Sequence, residues 1–200
     1  EKERVTLRQA FREILPLLWL KSGAVGPLPE LPQGAPEPVL FAPETIPMVG
    51  YEEGFKPKVY LDSKGYPTIG HGFMFARRTG LPLSSYENFK LSQSISLAML
   101  EEVCAEYAAQ AEIQLARQWS AMNADRRGVL ISMIHQLGIV GVRGFSNFCK
   151  AAADGDWKRA YEEMLDSKWY KRDTPQRAMR HALVMLHGSI NHVYSGVIKL

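Results

Sequence analysis

The chain has 200 residues, of which 46% are hydrophobic and 22% charged, and its formal net charge is +3 at pH 7. This length and composition are typical of a soluble globular protein with one domain, or one domain and an appendage. No apolar run reaches the roughly 20 residues that a membrane-spanning helix needs, so we expect no stable membrane insertion. The slight basic excess suits an anionic partner, such as a cell-wall polymer or a nucleic acid, or an ordinary solvated surface.

The N-terminal part of the chain differs in texture from the rest. A capping-box pattern and an apolar stripe predict an amphipathic helix over residues 6–20. Seven prolines follow between residues 26 and 47 and predict a semi-rigid tether. We therefore divide the chain into an N-terminal helix with a tether, residues 1–47, and a second domain, residues 48–200. The helix is expected to pack on a partner protein or on the chain's own body.

The second domain opens with a short helix and a small sheet. Residues 48–55 fit one or two helical turns, and residues 58–73 fit a strand–turn–strand unit in which "DSKG" supplies the turn. A long helix is then predicted over residues 96–119, because its apolar residues recur at helical spacing.

The remainder of the chain is predicted to be helical. One helix begins at Asn123 or Asp125, is apolar on nearly every side, and ends at Gly138, so we place it at the centre of the core. Shorter helices are predicted over residues 146–153, 157–169, 175–186 and 189–198. The result is an α+β fold that is mostly helical, with one small sheet near the front.

Cysteine and histidine patterns do not indicate a metal site. Cys104 and Cys149 are 45 positions apart in apolar, helix-like surroundings, so we expect buried free thiols, which fit synthesis in a cytosol. The histidines at 181, 187 and 192 also lack the partner spacing of a metal site. We expect neither a metal nor a cofactor.

The segment "YEEGFKPKVYLDSKGYPTIGHGF" carries the residue types that cleavage of a glycosidic bond requires. The reaction needs an acid that protonates the leaving oxygen and a second carboxylate that steers water or stabilises positive charge on the sugar. Glu53 is predicted at a helix end and Asp62 at a strand–turn junction, and these can face each other across a cleft. The hydroxyl of Thr68 could hold the attacking water beside Asp62. A solvated hairpin is the alternative, because acids near glycines are common.

The order of these residues resembles the T-even phage type lysozymes, glycoside hydrolase family 24. Two later segments, residues 126–148 and 167–180, resemble the C-terminal lobe of the same family in order and spacing. The likeness covers roughly residues 48–200 and does not extend to residues 1–47. The motif E-G-(x7)-D-(x2)-G-(x2)-T-I-G-x-G is filled by Glu53, Gly54, Asp62, Gly65, Thr68, Ile69, Gly70 and Gly72.

The resemblance implies a two-lobed fold with a cleft between the lobes. The small lobe would span about residues 53–95, a connecting helix about 96–119, and a helical lobe about 120–200. The implied substrate is bacterial peptidoglycan, and the implied bond is the β-1,4 link between N-acetylmuramic acid and N-acetylglucosamine. The family inverts configuration, which predicts carboxyl groups roughly 6.5–9.5 Å apart.

The resemblance also implies roles for individual residues. Glu53 would be the general acid, Asp62 the second carboxylate and Thr68 the water-positioning residue. Arg177 matches the family arginine that reaches back to the catalytic glutamate. The implied substrate-binding positions are Met74, His135, Gln136, Phe145, Phe148 and Glu163.

The sequence departs from the family pattern at several positions. The family often has a histidine directly after the last glycine of the motif, where this chain has Phe73. A histidine stands at His71 instead; we expect it to support the site, and either its ring faces the cleft or the family's polar contact is lost. His135 stands where the family commonly has an aromatic cleft residue, although a histidine on an apolar helix is also typical of a core. Phe148 replaces a small polar residue, and Glu163 replaces an asparagine.

The leading interpretation is a phage muramidase, either a free endolysin that ends infection or a lytic domain carried in a virion for entry. The enzyme would be made in the host cytoplasm and act on the wall in the periplasm, as a monomer when isolated. Residues 1–47 would contact a virion or tail protein. The alternative is a virion structural or peptidoglycan-binding module with weak or no catalysis. The basic residues between 168 and 180 suit a rim that attracts the acidic wall better than a nucleic-acid patch.

Overall fold

In a computed structural model, the structure describes residues 40–74 and 82–198. The helix predicted over residues 6–20 and most of the tether lie outside the described residues. The part of the tether that is described packs on the domain: Ala42 is buried, and its N–H donates to the carbonyl of Ala124 over 3.1 Å. The division at residue 47 stays a prediction.

The described residues contain eight α-helices, which carry most of the fold. A 3₁₀-helix at Leu83–Tyr86 and a π-helix at Trp169–Asp173 connect them. Side-chain caps start several helices; the carboxamide of Asn123, for example, accepts from the N–H of Arg126. The α-helices are α1 Thr45–Glu53, α2 Gln93–Gln114, α3 Ala116–Ala121, α4 Ala124–Arg143, α5 Ser146–Ala153, α6 Trp157–Leu165, α7 Pro175–His187 and α8 Ile190–Tyr194.

One small antiparallel sheet follows α1. Its strands are β1 Lys56–Leu61, β2 Pro67–Gly70 and β3 Phe73–Met74, in the spatial order β1-β2-β3. Tyr60 pairs directly with Thr68, and an irregularity in register lies between Lys56 and Tyr60. The predicted α+β class, mostly helical with one small sheet near the front, is confirmed.

Several predicted helices have different limits in the structure; the first, predicted over residues 48–55, is Thr45–Glu53 and so begins within the predicted tether. The helix predicted over 96–119 begins at Gln93 and breaks at Leu115, whose φ of −131° and ψ of 37° are not helical. No proline or glycine marks this break, and Leu115 is buried there, so packing rather than local propensity sets the helix end. The helix predicted over 157–169 ends at Leu165, and the last helix covers only Ile190–Tyr194. The predictions for 146–153 and 175–186 are confirmed, the latter to within one residue.

Helix α4 lies at the centre of the core, as predicted. Leu130 and Ile131 are fully buried within it. Gly128 lets α1 approach closely, because a Cβ there would lie 2.3 Å from Oγ1 of Thr45. Gly138, with φ of +72°, interrupts the helix at the position predicted as its end, although helical geometry resumes and continues to Arg143.

Both cysteines are free and buried, as predicted. Among the described residues no group of three or more His, Cys, Asp or Glu side chains is arranged to hold a metal ion. Within the same residues, no single helix has the length and apolar composition to cross a membrane, although α4 and α5, bent by 99°, meet those conditions as a pair.

Candidate active site

Glu53 lies at the end of α1, where the chain turns into the sheet. Gly54 stops the helix with a φ of +69°, and its N–H still donates to the carbonyl of Gly50 over 3.0 Å. The Glu53 side chain is 22% exposed, so it is accessible from solvent but largely enclosed by protein. The helix end therefore presents one carboxylate at the junction between the sheet and the helices.

Arg177, on α7, fixes this carboxylate from the helical side. Its Nη1 donates to Oε1 of Glu53 over 2.6 Å, and its Nη2 donates to the carbonyl and hydroxyl oxygens of Ser132 over 3.2 and 2.8 Å. The arginine side chain is only 7% exposed. A charged bond in such surroundings is strong, so α7 and α4 together hold the Glu53 carboxylate in one orientation. The predicted arginine–glutamate contact is confirmed.

His135, on α4, approaches the same carboxylate oxygen. Its Nε2 lies 3.6 Å from Oε1 of Glu53, which is too long for a hydrogen bond. The ring also packs beside that of Tyr107 on α2, with centroids 5.7 Å apart. Burial lowers the pKa of His135 below the usual value; the Glu53 carboxylate opposes that shift and Arg177 adds to it.

Asp62 begins the turn between β1 and β2. Its Oδ1 accepts from the N–H groups of Lys64 and Tyr66, both over 2.8 Å. These bonds orient the carboxylate by an Asx-type turn, while Gly65 supplies the φ of +80° that the turn requires. Both backbone bonds end on one oxygen, so Oδ2 carries neither of them.

Thr68 lies on β2 and faces the same side of the sheet as Tyr60, because directly paired residues share a face. Asp62 directly follows β1, at the start of the turn, and its carboxylate acts electrostatically on Tyr60. Thr68 is 3% exposed, and its hydroxyl donates to the carbonyl of Tyr66 over 3.0 Å. Because the hydroxyl hydrogen is already engaged, the Thr68 oxygen can act only as a hydrogen-bond acceptor for a further group.

Two features connect the carboxylate of Glu53 with the sheet. The pKa of Tyr60 is raised by burial and then by the carboxylates of both Asp62 and Glu53, so both acids act on one phenol. Oε2 of Glu53 lies 4.0 Å from where a Cβ on Gly72 would stand. The end of α1 and the small sheet therefore lie close together, while the convergence of Glu53, Asp62 and Thr68 on one groove stays a prediction.

A second acid, Glu52, was missed by the sequence reasoning. Its carboxylate accepts two bonds from Arg180, over 2.8 and 2.7 Å, and one from the hydroxyl of Tyr194 over 2.6 Å. Its side chain is 4% exposed. The only signal in the sequence was its position next to Glu53, and the two neighbouring acids point to different partners.

Hydrogen bonds continue from this acid into the core. The Tyr194 hydroxyl lies 2.9 Å from Nδ1 of His181, whose Nε2 lies 2.7 Å from the hydroxyl of Ser132. Burial lowers the pKa of His181 well below the usual value, with further contributions from Arg177 and Arg180. His181 is therefore a neutral relay in a chain of bonds that links the two glutamates through Ser132 and Arg177.

His71 does not face the cleft. It is fully buried, its N–H donates to Oγ of Ser96 over 3.1 Å, and its Nδ1 lies 2.7 Å from the same oxygen. Burial lowers its pKa, against the opposing effects of Ser96 and Glu53. The residue ties the sheet to α2 through Ser96, and its support of the site stays a prediction.

The predicted substrate-binding residues occupy varied surroundings. Met74 is exposed at the end of β3, and Phe145 is half-buried with its ring edge-on to Trp169. Both ends of the Gln136 amide have protein partners: Nε2 donates to Thr174, and Oε1 accepts from the Trp169 indole. These three and His135 stay predictions.

Phe148 and Glu163 are the two remaining residues predicted to bind substrate. Phe148 is 1% exposed within the core cluster, so the prediction that it contacts substrate is wrong. A large apolar ring is stabilised by full burial, and α5 turns it inward. Glu163, on α6, is partly exposed, and its Oε1 lies 3.8 Å from Nε of Arg159.

The basic cluster between residues 168 and 180 is largely neutralised. Lys171 pairs with Asp166, and Nζ of Lys168 lies 3.8 Å from Asp173. Arg177 and Arg180, in the same cluster, pair with the glutamates of α1, as described above. These pairs offset part of the positive charge of the cluster.

Comparison with known proteins agrees with the geometry. The phage lysozyme family model matches residues 50–184. The pre-baseplate central spike protein Gp5 of Enterobacteria phage T4 is 31% identical over 160 residues, which cover 72% of this chain and 28% of that protein. Probable T4-type lysozyme 1 of Dictyostelium discoideum is 28% identical over 161 residues, covering 72% of this chain and 94% of that protein. The chain thus spans less than a third of the spike protein.

The fold and the site define a lysozyme-like protein in which a glutamate at a helix end lies beside a small antiparallel sheet. The family match covers well over half of the chain. The chain belongs to the phage lysozyme family. Membership of this family, with the likeness to T4-type lysozymes, supports peptidoglycan hydrolase activity.

Proposed function

We propose that the chain hydrolyses the β-1,4 bond between N-acetylmuramic acid and N-acetylglucosamine in bacterial peptidoglycan, with inversion of configuration. Glu53 is the general acid, Asp62 is the general base, and Thr68 positions the attacking water. The observation that carries the proposal is the placement of Glu53. Its Oε1 accepts a hydrogen bond of 2.6 Å from Nη1 of Arg177, and its helix end leads directly into the sheet segment that bears Asp62 and Thr68.

The acid needs one carboxyl oxygen free to carry a proton to the leaving group. Arg177 and His135 both approach Oε1 of Glu53, so the proton belongs on Oε2, which faces Gly72. The absence of a side chain at Gly72 leaves room for a sugar oxygen to approach that proton. Transfer from Oε2 to the glycosidic oxygen would break the bond through an oxocarbenium-like transition state.

The base needs an oriented carboxylate with room for a water molecule. The turn fixes Oδ1 of Asp62 by two N–H groups and leaves Oδ2 to accept a proton from the water. The Thr68 hydroxyl already donates to the Tyr66 carbonyl, so its oxygen can accept a hydrogen bond from the other O–H of the same water, which stays on the oxygen that attacks. That water then attacks the sugar from the face opposite to the leaving group, which inverts its configuration.

A turbidity assay on outer-membrane-stripped Gram-negative cells tests the proposal. We expect the wild type to clear the suspension and Glu53→Gln to clear it at least roughly a hundredfold more slowly, because the amide cannot donate the proton. Equal clearing rates for the two proteins would reject the proposal that the chain is an enzyme with Glu53 as its general acid. A pull-down with purified peptidoglycan separates a binding module from an inactive protein, since a binding module would sediment with the wall and release no soluble fragments.

We also propose that the enzyme is carried in a virion and acts on the wall in the periplasm during entry. One relative is named as a central spike protein of the pre-baseplate, and the proline-rich sequence that precedes residue 40 suits a tether. Mass spectrometry of purified phage particles tests this. The chain is expected in washed particles at a fixed ratio to tail proteins; its presence only in the lysate would indicate a free endolysin.

A further inference from the structure

We propose that His135 is a positioning residue for Glu53 and that a proton on its ring switches catalysis off at acid pH. The inference rests on the proposed hydrolase function, because it concerns the acid of that reaction. Position 135 belongs neither to the Arg177–Glu53 contact nor to the motif of residues 53–72, so neither of them explains why a histidine stands there.

The first argument is that the polar atoms of His135 have no partner within the described residues. Both ring nitrogens are buried, and neither makes a hydrogen bond. Leaving buried polar groups unpaired is costly, and such groups in a native protein usually have a function. The side chain is 17% exposed, so part of it is in contact with solvent although both nitrogens are buried.

The second argument is the direction in which the ring points. Oε1 of Glu53 lies 3.6 Å from Nε2 of His135. A side-chain rotation that shortens this distance by less than about 1 Å would form a hydrogen bond. In that position a neutral imidazole donates to the oxygen that Arg177 also holds. The two donors together would keep Oε2 as the oxygen that carries the proton.

The third argument is the set of charges around the ring. Glu53 on α1 and Arg177 on α7 are the charged groups that act on His135. Tyr107 packs on it from α2, and burial raises the pKa of that phenol and raises the pKa of Cys104, one turn away, to about 12, so both stay neutral. The balance favours a neutral ring at pH 7, because burial and Arg177 outweigh the attraction of the carboxylate.

The consequence is a competition between two sites for protons. A proton on His135 stabilises the Glu53 carboxylate, and a molecule with its proton on the ring lacks the general acid. A proton on each site leaves a second cation beside the place where the sugar develops positive charge. Activity therefore falls more steeply on the acid side than in a variant that lacks the histidine.

Imidazole NMR titrations test the coupling without any need for activity. Five histidines are present, and the signal lost in His135→Phe assigns the one in question. We expect its midpoint below the ordinary histidine value, and a further decrease in Glu53→Gln, because that change removes the neighbouring negative charge. An identical midpoint in the two proteins would overturn the proposal.

The pH profile of lysis tests the consequence. When each rate is divided by its value at pH 8, the wild type and His135→Phe should coincide on the alkaline side. On the acid side the wild type should fall more steeply, by up to about one log unit of rate per pH unit. His135→Gln keeps a neutral donor, so it should retain more of the rate at pH 8 than His135→Phe and show the same shallow acid limb.

Coincident profiles over the whole range would also overturn the proposal. A wild type that is inactive on peptidoglycan at every pH would reject the proposed function instead, and the NMR titration would still decide whether the two side chains are coupled. The two failures are therefore distinguishable.

Discussion

Arg177 and Glu53 are 124 positions apart in sequence and are joined by a bond of 2.6 Å between Nη1 and Oε1. The same guanidinium also bonds Ser132 on α4, so one side chain ties the helical lobe to the helix end that carries the proposed acid. A rigid guanidinium fork suits this double role, because its donors have a fixed geometry.

Replacing Arg177 by lysine should therefore reduce catalysis more than folding. A lysine keeps the charge but cannot hold Glu53 and Ser132 at once. We expect kcat to fall by roughly ten- to a hundredfold with KM little changed, since the acid is misplaced rather than lost. Steady-state kinetics on soluble peptidoglycan fragments measure this. Arg180→Lys is the matched control and should leave kcat within a few-fold; the same kcat loss in both variants would contradict a specific role for Arg177.

Glu52→Gln should reduce stability and leave catalysis nearly unchanged, whereas Glu53→Gln should reduce catalysis. Glu52 is buried against Arg180 and Tyr194, and removing its charge leaves a cation without its partner. We expect a loss of unfolding free energy of up to about 3–5 kcal/mol by urea denaturation, because buried ion pairs are costly to break on one side. Lysis per folded molecule should remain within a few-fold of the wild type. A large loss of lysis at unchanged stability would show that Glu52, and not its neighbour alone, takes part in the chemistry.

Stability should decrease as the pH falls below about 6.5, the ordinary histidine value. His181 has its pKa lowered well below that value, chiefly by burial, so the folded protein binds no proton there while the unfolded chain does. The unfolding free energy should then fall by up to about 1.4 kcal/mol per pH unit for this residue. Urea melts between pH 5 and pH 8 measure the slope. His181→Gln keeps a partner for Ser132 without titrating, and an undiminished slope in that variant would assign the effect to other groups.

Leu130→Ala tests the position of α4 in the core. The leucine is fully buried, and the lost contacts with the cavity left behind should cost roughly 2–5 kcal/mol of unfolding free energy. Ile113→Ala is the control, because that side chain is 80% exposed and its loss should change stability by less than about 0.5 kcal/mol. Equal denaturation midpoints for the two variants would show that α4 is not central.

The site was predictable where its chemistry is carried by a short segment. Glu53, Asp62 and Thr68 are separated only by a glycine-terminated helix and a tight turn, and both features have strong local signals. The N-terminal signal at Asn123 likewise fixed the start of α4. Local structure and local chemistry are visible in such stretches because neighbouring residues determine them.

Long-range partners left no comparable signal. Ser132 and His181 are 49 positions apart, and Tyr194 reaches Glu52 across 142 positions, so no periodicity predicts these bonds. Phe148 shows the other limit, since the resemblance of residues 126–148 to the family implied a substrate contact while the size of its apolar ring favours burial. Packing of the whole domain decides such cases.

The masses of the fragments released from purified peptidoglycan test the central claim most directly. Wild type should release saccharide fragments heavier by one water per bond cleaved, and Glu53→Gln should release almost none at the same protein concentration. Anhydro-sugar products would indicate a lytic transglycosylase, in which no water held by Asp62 and Thr68 attacks the sugar. Such products, or equal release by both proteins, would contradict hydrolysis by the Glu53–Asp62 pair.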